Sequence, residues 1–229
     1  MTSLQKWGKS VRTTIPVMAG YLVLGAGFGI LLRTRGYGLG WALAMSAFIY
    51  AGSMQYVVID LLTGGASLLT TAVTTLLVNA RHLFYGISML ERYRAAEKYA
   101  PYLIFSLTDE TYSLVAARED LTGAECFRIS LLDQLYWVLG TALGSLAGAY
   151  LDFNTTGIDF SLTALFLTVF TEQWLETKDH APALIGLGVS IVCRLLFGAD
   201  GFLLPTMGGM LCCLLVLDAR RTKKGGESV

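Results

Sequence analysis

The residues best placed to do chemistry are Asp109 and Glu110, two adjacent carboxylates in Phe105 to Ser113 (FSLTDETYS), between apolar runs. An ionised carboxylate at bilayer depth costs roughly 2.5–3.5 kcal/mol on insertion scales, so such a pair needs a partner, a water-filled cavity or a proton. Helical spacing places Ser106, Asp109 or Glu110, and Ser113 on one face, which reads as a polar stripe inside a membrane span. The plainer reading is a solvated loop between spans. A second constellation is Asn79-Ala80-Arg81-His82, at the end of a polar line that runs Thr71, Thr75, Asn79, His82, Gly86. Either Arg81 meets an anion inside the protein, or the helix ends near Val78 and Arg81 snorkels to the interface. The third is Tyr50 to Tyr56 (YAGSMQY), polar and small enough to break a helix around Gly52, Ser53 and Gln55. Broken helices expose backbone groups at the midplane, where many carriers hold substrate. The alternative is an unbroken helix that uses Gly52 and Ser53 for packing.

Composition fixes the setting. The chain has 229 residues, 54% hydrophobic and 15% charged, with a mean hydropathy of +0.58. Soluble domains carry about 25% charged residues. An all-α, polytopic transmembrane bundle of seven or eight spans is therefore expected, since a span takes about 20 residues. The expected spans are Ile15 to Leu32, Trp41 to Leu62, a third after Gly64-Gly65, Tyr102 to Ala117, Ile129 to Tyr150, Phe160 to Trp174, Pro182 to Phe197 and Phe202 to Leu217. The run after Lys6, Lys9 and Arg12 is read as the first span and not as a cleaved signal. A formal charge of zero gives no reason to expect nucleic acid. The four cysteines lack metal spacing and the two histidines form no metal motif, so no metal and no cofactor is expected.

Basic residues locate the ends. Arg220, Arg221, Lys223 and Lys224 place the tail, residues 218–229, in the cytoplasm, and the Lys/Arg-free loop 151–159 outside. With eight full spans, Arg92, Arg94 and Lys98 would lie outside, against the rule. Either one of spans 2 to 4 is re-entrant or that mixed-charge loop carries little weight.

Two echoes suggest repeats at about 15–117 and 128–217 within a single transport domain over residues 1–229. Phe48 to Tyr56 followed by Arg81 to Gly86 is matched by Phe166 to Trp174 followed by Arg194 to Gly198, each after a Gly-rich helix near Gly25 or Gly140. The echo adds Glu172, Gln173 and Arg194 as secondary candidates.

Four segments together resemble the AzlC family, the large subunit of branched-chain amino acid exporters associated with azaleucine resistance. They are Gly52 to Gln55, Asn79 to Gly86, Leu107 to Glu110 and Asp159 to Phe166. One departure is the lack of a proline near Thr163. The resemblance implies a secondary exporter of small apolar amino acids, in the bacterial cytoplasmic membrane, working with a short AzlD-type membrane partner. The residues themselves agree on class, with charged groups in several spans and no Walker motif, so an ion gradient is the expected energy source. A zwitterionic substrate needs donors for its carboxylate, an acceptor for its ammonium and an apolar pocket. Gly52, Ser53, Gln55, Asn79, Arg81 and His82 are the binding candidates, and Asp109 and Glu110 the proton-coupling ones. The other classes are a channel or scaffold subunit, a permease driven by a separate ATPase, and an intramembrane hydrolase with Ser53 as nucleophile and His82 as base. That last pair lacks the second glycine of a nucleophile elbow, so no enzyme is expected.

Overall fold

The computed structural model describes residues 2–116, 118, 120–150, 157, 160, 163–164, 167, 170–171, 174–175 and 177–225. Every regular element among them is helical, as the long apolar runs require. The chain forms two compact units, Met1–Leu162 and Thr163–Val229.

The first unit is built on two long helices, α1 (Ser3–Thr34) and α8 (Gly123–Tyr150). They run parallel. Lys9 Nζ pairs with Glu125 Oε1 at 3.3 Å near their starts, and Gly148 lies against Ile30 and Arg33 near their ends. Their seam is made of small residues because the backbones touch. A Cβ on Gly29 would stand 2.2 Å from the Thr141 carbonyl oxygen, and one on Gly144 would stand 2.0 Å from that of Ala26. Close approach of this kind replaces the hydrophobic drive that lipid does not supply. These are the helices that head the two expected repeats.

Between them the chain makes two hairpins. The first pairs α2 (Leu39–Phe48) with α3 (Gly52–Thr63). Helix α2 runs against α1: Gly38 lies beside Arg33, and further on the Ala47 carbonyl accepts from Gln134 Nε2 at 3.0 Å. Then α3 runs back along α1, with the Tyr56 hydroxyl donating to the Leu24 carbonyl at 2.7 Å and its ring beside Phe28. The Gln55 Nε2 donates to Ser46 Oγ at 3.2 Å. A straight helix would hold those positions about 13 Å apart, at 1.5 Å rise per residue. The reversal falls at Ile49–Ala51, where Tyr50 is buried with φ +44. A non-glycine residue in that region is strained and is held there by its surroundings.

Next comes a crossing in two pieces, α4 (Leu68–Val78) and α5 (Arg81–Ala95), parted at Asn79–Ala80. A 3₁₀ turn (Glu97–Tyr99) leads into the second hairpin, α6 (Ala100–Phe105) and α7 (Asp109–Ala116). Helix α6 climbs from the start of α8, with Tyr102 beside Phe127 and its hydroxyl on Gln134 Oε1 at 2.6 Å. Helix α7 descends again alongside α5. Tyr85 stacks on Tyr112 at 4.5 Å, and Arg92 donates to the Val115 and Arg118 carbonyls that end the hairpin.

The unit therefore repeats one plan in opposite directions, a crossing followed by a hairpin that enters from the far side. Two expected crossings, Trp41 to Leu62 and Tyr102 to Ala117, turn back instead. A count of seven or eight spans does not follow from the described helices. Among the described residues, only Leu4–Thr34 and Ala181–Gly198 are long and apolar enough to cross a membrane. The polar stripe also changes. Ser106 precedes the break, and its hydroxyl returns to the Tyr102 carbonyl at 2.7 Å, so it is not on the helix of Asp109 and Glu110.

The hairpins resolve the charge conflict. With α6 and α7 folded back, Arg92, Arg94 and Lys98 join Lys9, Arg118 and Arg128 at one end of the unit. Lys9 and Arg128 reach Glu125 and Ser10 there, and Arg118 reaches Thr13.

The second unit pairs α9 (Ala181–Gly201) with α10 (Leu203–Gly225). Helix α9 is kinked at Gly198, whose φ of +74 and ψ of −171 suit glycine. The expected polar tail is helical as far as Gly225.

Candidate functional site

Three interruptions, at Ile49–Ala51, Asn79–Ala80 and Ser106–Thr108, meet in the middle of the first unit. Tyr50 and Phe105, from the two hairpin tips, lie 6.5 Å apart. Each interruption begins a helix there: α3 at Gly52, α5 at Arg81 and α7 at Asp109. Their N-terminal N–H groups and macrodipoles make the centre favourable to negative charge.

Arg81 ties the three starts together. Its Nη1 pairs with Asp109 Oδ2 at 2.7 Å and its Nη2 donates to Ser53 Oγ at 2.6 Å. Both charged side chains are partly accessible, 30% for Arg81 and 27% for Asp109. The pair is thus a contact that an arriving carboxylate can compete for, since the planar guanidinium suits bidentate anion recognition.

Beside it is an open-sided cavity of about 540 Å³, lined by Tyr50 and Ala51 from the first break, by Asn79 and His82, and by Leu83, Ile87, Ile104 and Phe105 on an exposed apolar wall. Its size falls in the roughly 300–1,000 Å³ range of small-molecule sites. Asn79 Oδ1 is buried without a hydrogen-bond partner. A buried acceptor left open in this way is unfavourable until something donates to it.

The expected binding residues divide into two groups. Ser53, Asn79, Arg81 and His82 gather at the centre with Asp109. His82 Nδ1 lies 3.1 Å from the Asn79 carbonyl oxygen, and its ring is on the cavity wall. Gly52 and Gln55 face the other way. Gly52 packs on the Trp137 ring, while Gln55, fully buried, accepts from Trp137 Nε1 at 2.8 Å and donates to Ser46. Those bonds make Gln55 a strut between the first hairpin and α8. Glu110 is beside the centre, accepting from the Tyr21 hydroxyl at 2.7 Å. Glu172 and Gln173 lie outside the described residues. Arg194 is in the second unit, exposed, with its guanidinium 5.6 Å from the Phe202 ring centre. Arg81 heads a helix and Arg194 lies inside one, so the echoed arginines differ in setting.

A family model described as "AzlC protein" matches residues 16–151, which take in most of α1 and all of α2 to α8. The chain belongs to the AzlC family. It is 45% identical over 209 residues to the branched-chain amino acid transport protein AzlC of Bacillus subtilis, covering 89% of this chain and 82% of that one. An uncharacterized membrane protein of Helicobacter pylori is 42% identical, over 89% of this chain and 91% of its own. The inner membrane protein YgaZ of Escherichia coli is 26% identical, over 90% and 87%. No solved structure matches. With relatives named as membrane proteins and its own apolar helices, this AzlC chain is a membrane protein.

Sequence reasoning missed Tyr21, Thr108, Thr111 and Asp133, which are buried beside this AzlC centre and outside the binding set. Asp133 carried a signal, a carboxylate just inside an apolar run. The true start of α8 at Gly123 sets it deep in the helix.

Proposed function

We propose that this chain is the large subunit of a secondary exporter of branched-chain or similarly sized apolar amino acids. The observation that carries the reading is the Arg81 centre, at the meeting of three helix starts and beside an apolar cavity. The Bacillus subtilis relative, named for branched-chain amino acid transport, supplies the substrate class. In this reading the substrate carboxylate competes with Asp109 for Arg81. Its ammonium donates to Asn79 Oδ1, and its side chain occupies the wall of Leu83, Ile87 and Ile104. The negative charge left on Asp109 is then balanced by a proton at the neighbouring Glu110, which couples binding to a proton gradient. The positive-inside rule orients the end carrying Lys9, Arg92, Arg94 and Arg118 toward the cytoplasm, and applied to Arg220, Arg221, Lys223 and Lys224 it makes the C-terminal tail cytoplasmic. A short AzlD-type membrane subunit completes the exporter.

A hydrolase is disfavoured by the partners of Ser53. Its hydroxyl accepts from the Arg81 guanidinium, a donor with no acceptor to take its proton, while His82 is turned to the Asn79 carbonyl. A channel would conduct without exchange. Liposomes carrying the chain with its small partner subunit, preloaded with leucine, should therefore accelerate uptake of labelled leucine. Arg81→Lys, which cannot reach Ser53 and Asp109 together, should cut counterflow about tenfold or more, the loss of one charge-assisted hydrogen bond. Equal uptake with and without preloading would refute a carrier.

A further inference from the structure

One buried carboxylate has no part in the binding scheme. Asp133 on α8 is wholly inaccessible; its Oδ2 accepts from Thr111 Oγ1 at 2.9 Å, and its Oδ1 is buried without a hydrogen-bond partner. Thr111 continues to Thr108 Oγ1 at 3.2 Å, Thr108 to the Tyr21 hydroxyl at 2.7 Å, and Tyr21 to Glu110 Oε2 at 2.7 Å. The two carboxylates, from α7 and α8, are thus the ends of one unbroken line of buried hydroxyls drawn from α1, the third interruption and α7.

Counting protons decides its state. The line has the oxygen-to-oxygen links Glu110–Tyr21, Tyr21–Thr108, Thr108–Thr111 and Thr111–Asp133, and each hydroxyl owns a single proton. With both carboxylates ionised, Tyr21 donates to Glu110 and Thr111 to Asp133, and Thr108 has one proton for its two links. One link is then left with lone pairs only, Tyr21–Thr108 at 2.7 Å or, with Thr108 turned to Tyr21, Thr108–Thr111 at 3.2 Å. One more proton, on either carboxyl, fills every link in one direction. The other titratable groups around the line are the phenols of Tyr50 from the first break, Tyr85 from α5 and Tyr102 from α6, together with Asp109, which is paired with Arg81. Among the described residues no ion pair reaches Glu110 or Asp133.

We infer that Glu110 and Asp133 share one proton through Tyr21, Thr108 and Thr111, which makes Asp133 a second proton site of the protein. A proton on Glu110 passes to Tyr21 as Tyr21 hands its own to Thr108, Thr108 to Thr111, and Thr111 to Asp133. An O–H bond breaks and another forms at each link, the hydroxyls reverse their sense, and Glu110 is left ionised. The use of this transfer for coupling rests on the transport reading; the shared proton does not.

Infrared spectra of the purified full chain at neutral pH test the sharing directly. One protonated-carboxyl C=O band is expected from the pair in the wild type. In Glu110→Gln or Asp133→Asn, the new amide N–H fills the missing link, so the remaining carboxyl ionises and the band is lost from each variant. A band that survives in either variant, or is missing from the wild type, overturns the shared proton. The relay is tested with Thr111→Val, which keeps the shape and removes the hydroxyl, and Thr111→Ser, which restores it. Gradient-driven transport should fall at least tenfold in the first and recover in the second, with leucine exchange kept in both. Normal gradient-driven transport by Thr111→Val overturns the relay. A wild type that shows the band and its loss in the variants but moves no leucine would sink the transport reading and leave the shared proton standing.

Discussion

The seam between α1 and α8 and the centre where the three interruptions meet are two solutions to burying backbone in one bundle. In the seam the helices are continuous, so their peptide groups satisfy one another and glycine is used for contact. At the centre the helices stop, and side chains must satisfy what the backbone gives up: Thr108 Oγ1 accepts from the Thr111 N–H, and Arg81 spans Ser53 and Asp109. The difference is one of tolerance. Bulk is forbidden in the seam and charge is allowed at the centre. Substitutions in the first should change whether the protein folds, and those in the second what the folded protein does.

The largest expected effect is on the seam side. Gly144→Leu would drive a side chain into the α1 backbone at Ala26, where nothing flexible can yield. Overpacking typically costs about 1–3 kcal/mol, and more where backbone must move. Loss of monodisperse protein on detergent gel filtration is expected. Gly20→Leu is the control, since a Cβ there meets no atom within 4 Å. Equal behaviour of the two variants would remove the seam from the account.

Gln55 sharpens the boundary, because its sequence neighbourhood suggested binding and its bonds join hairpin to α8. Gln55→Leu strands the buried Trp137 indole N–H and should cost about 1–3 kcal/mol. A lowered melting midpoint with unchanged leucine preference in the surviving protein fits a strut. Altered preference at unchanged stability would return Gln55 to the binding set.

The smallest effect is expected where α8 begins, outside the membrane. The Thr122 N–H and hydroxyl, and then Lys9, hold the Glu125 carboxyl down to about 2. A carboxylate lowered in the folded state stabilises above the usual glutamate range and loses that contribution as pH falls toward about 2. Glu125→Ala, which removes the acceptor for the Thr122 N–H and hydroxyl, should therefore lower the melting midpoint by the equivalent of about 1 kcal/mol at neutral pH, a typical cap loss. The deficit should be the same at pH 6 and pH 8; a deficit that changes between them contradicts the assignment.

Much of the seam was legible in the sequence, because the helices around Gly25 and Gly140 carry small residues at contact spacing. The first two interruptions also had signals, in Gly52-Ser53 and in Asn79 beside Arg81. The third had none, since Ser106-Leu107-Thr108 contains neither glycine nor proline. The hairpins were hidden for a different reason. A run such as Trp41 to Leu62 has the same hydropathy whether it crosses or doubles back, and only the misplaced charges of Arg92, Arg94 and Lys98 hinted at the reversal. The hydroxyl line was beyond reach, because Tyr21 and Asp133 come together through the register of two helices far apart in sequence.

The central claim is that Asp109 and Glu110, adjacent in sequence, do different work: Asp109 closes the Arg81 site and Glu110 handles the proton. Leucine exchange and gradient-driven leucine export, measured side by side in liposomes for Asp109→Asn and Glu110→Gln, test it most directly. Glu110→Gln should keep exchange and lose export, whereas Asp109→Asn should lose exchange and export together. Equal phenotypes for the two variants, or normal export by both, would contradict the division.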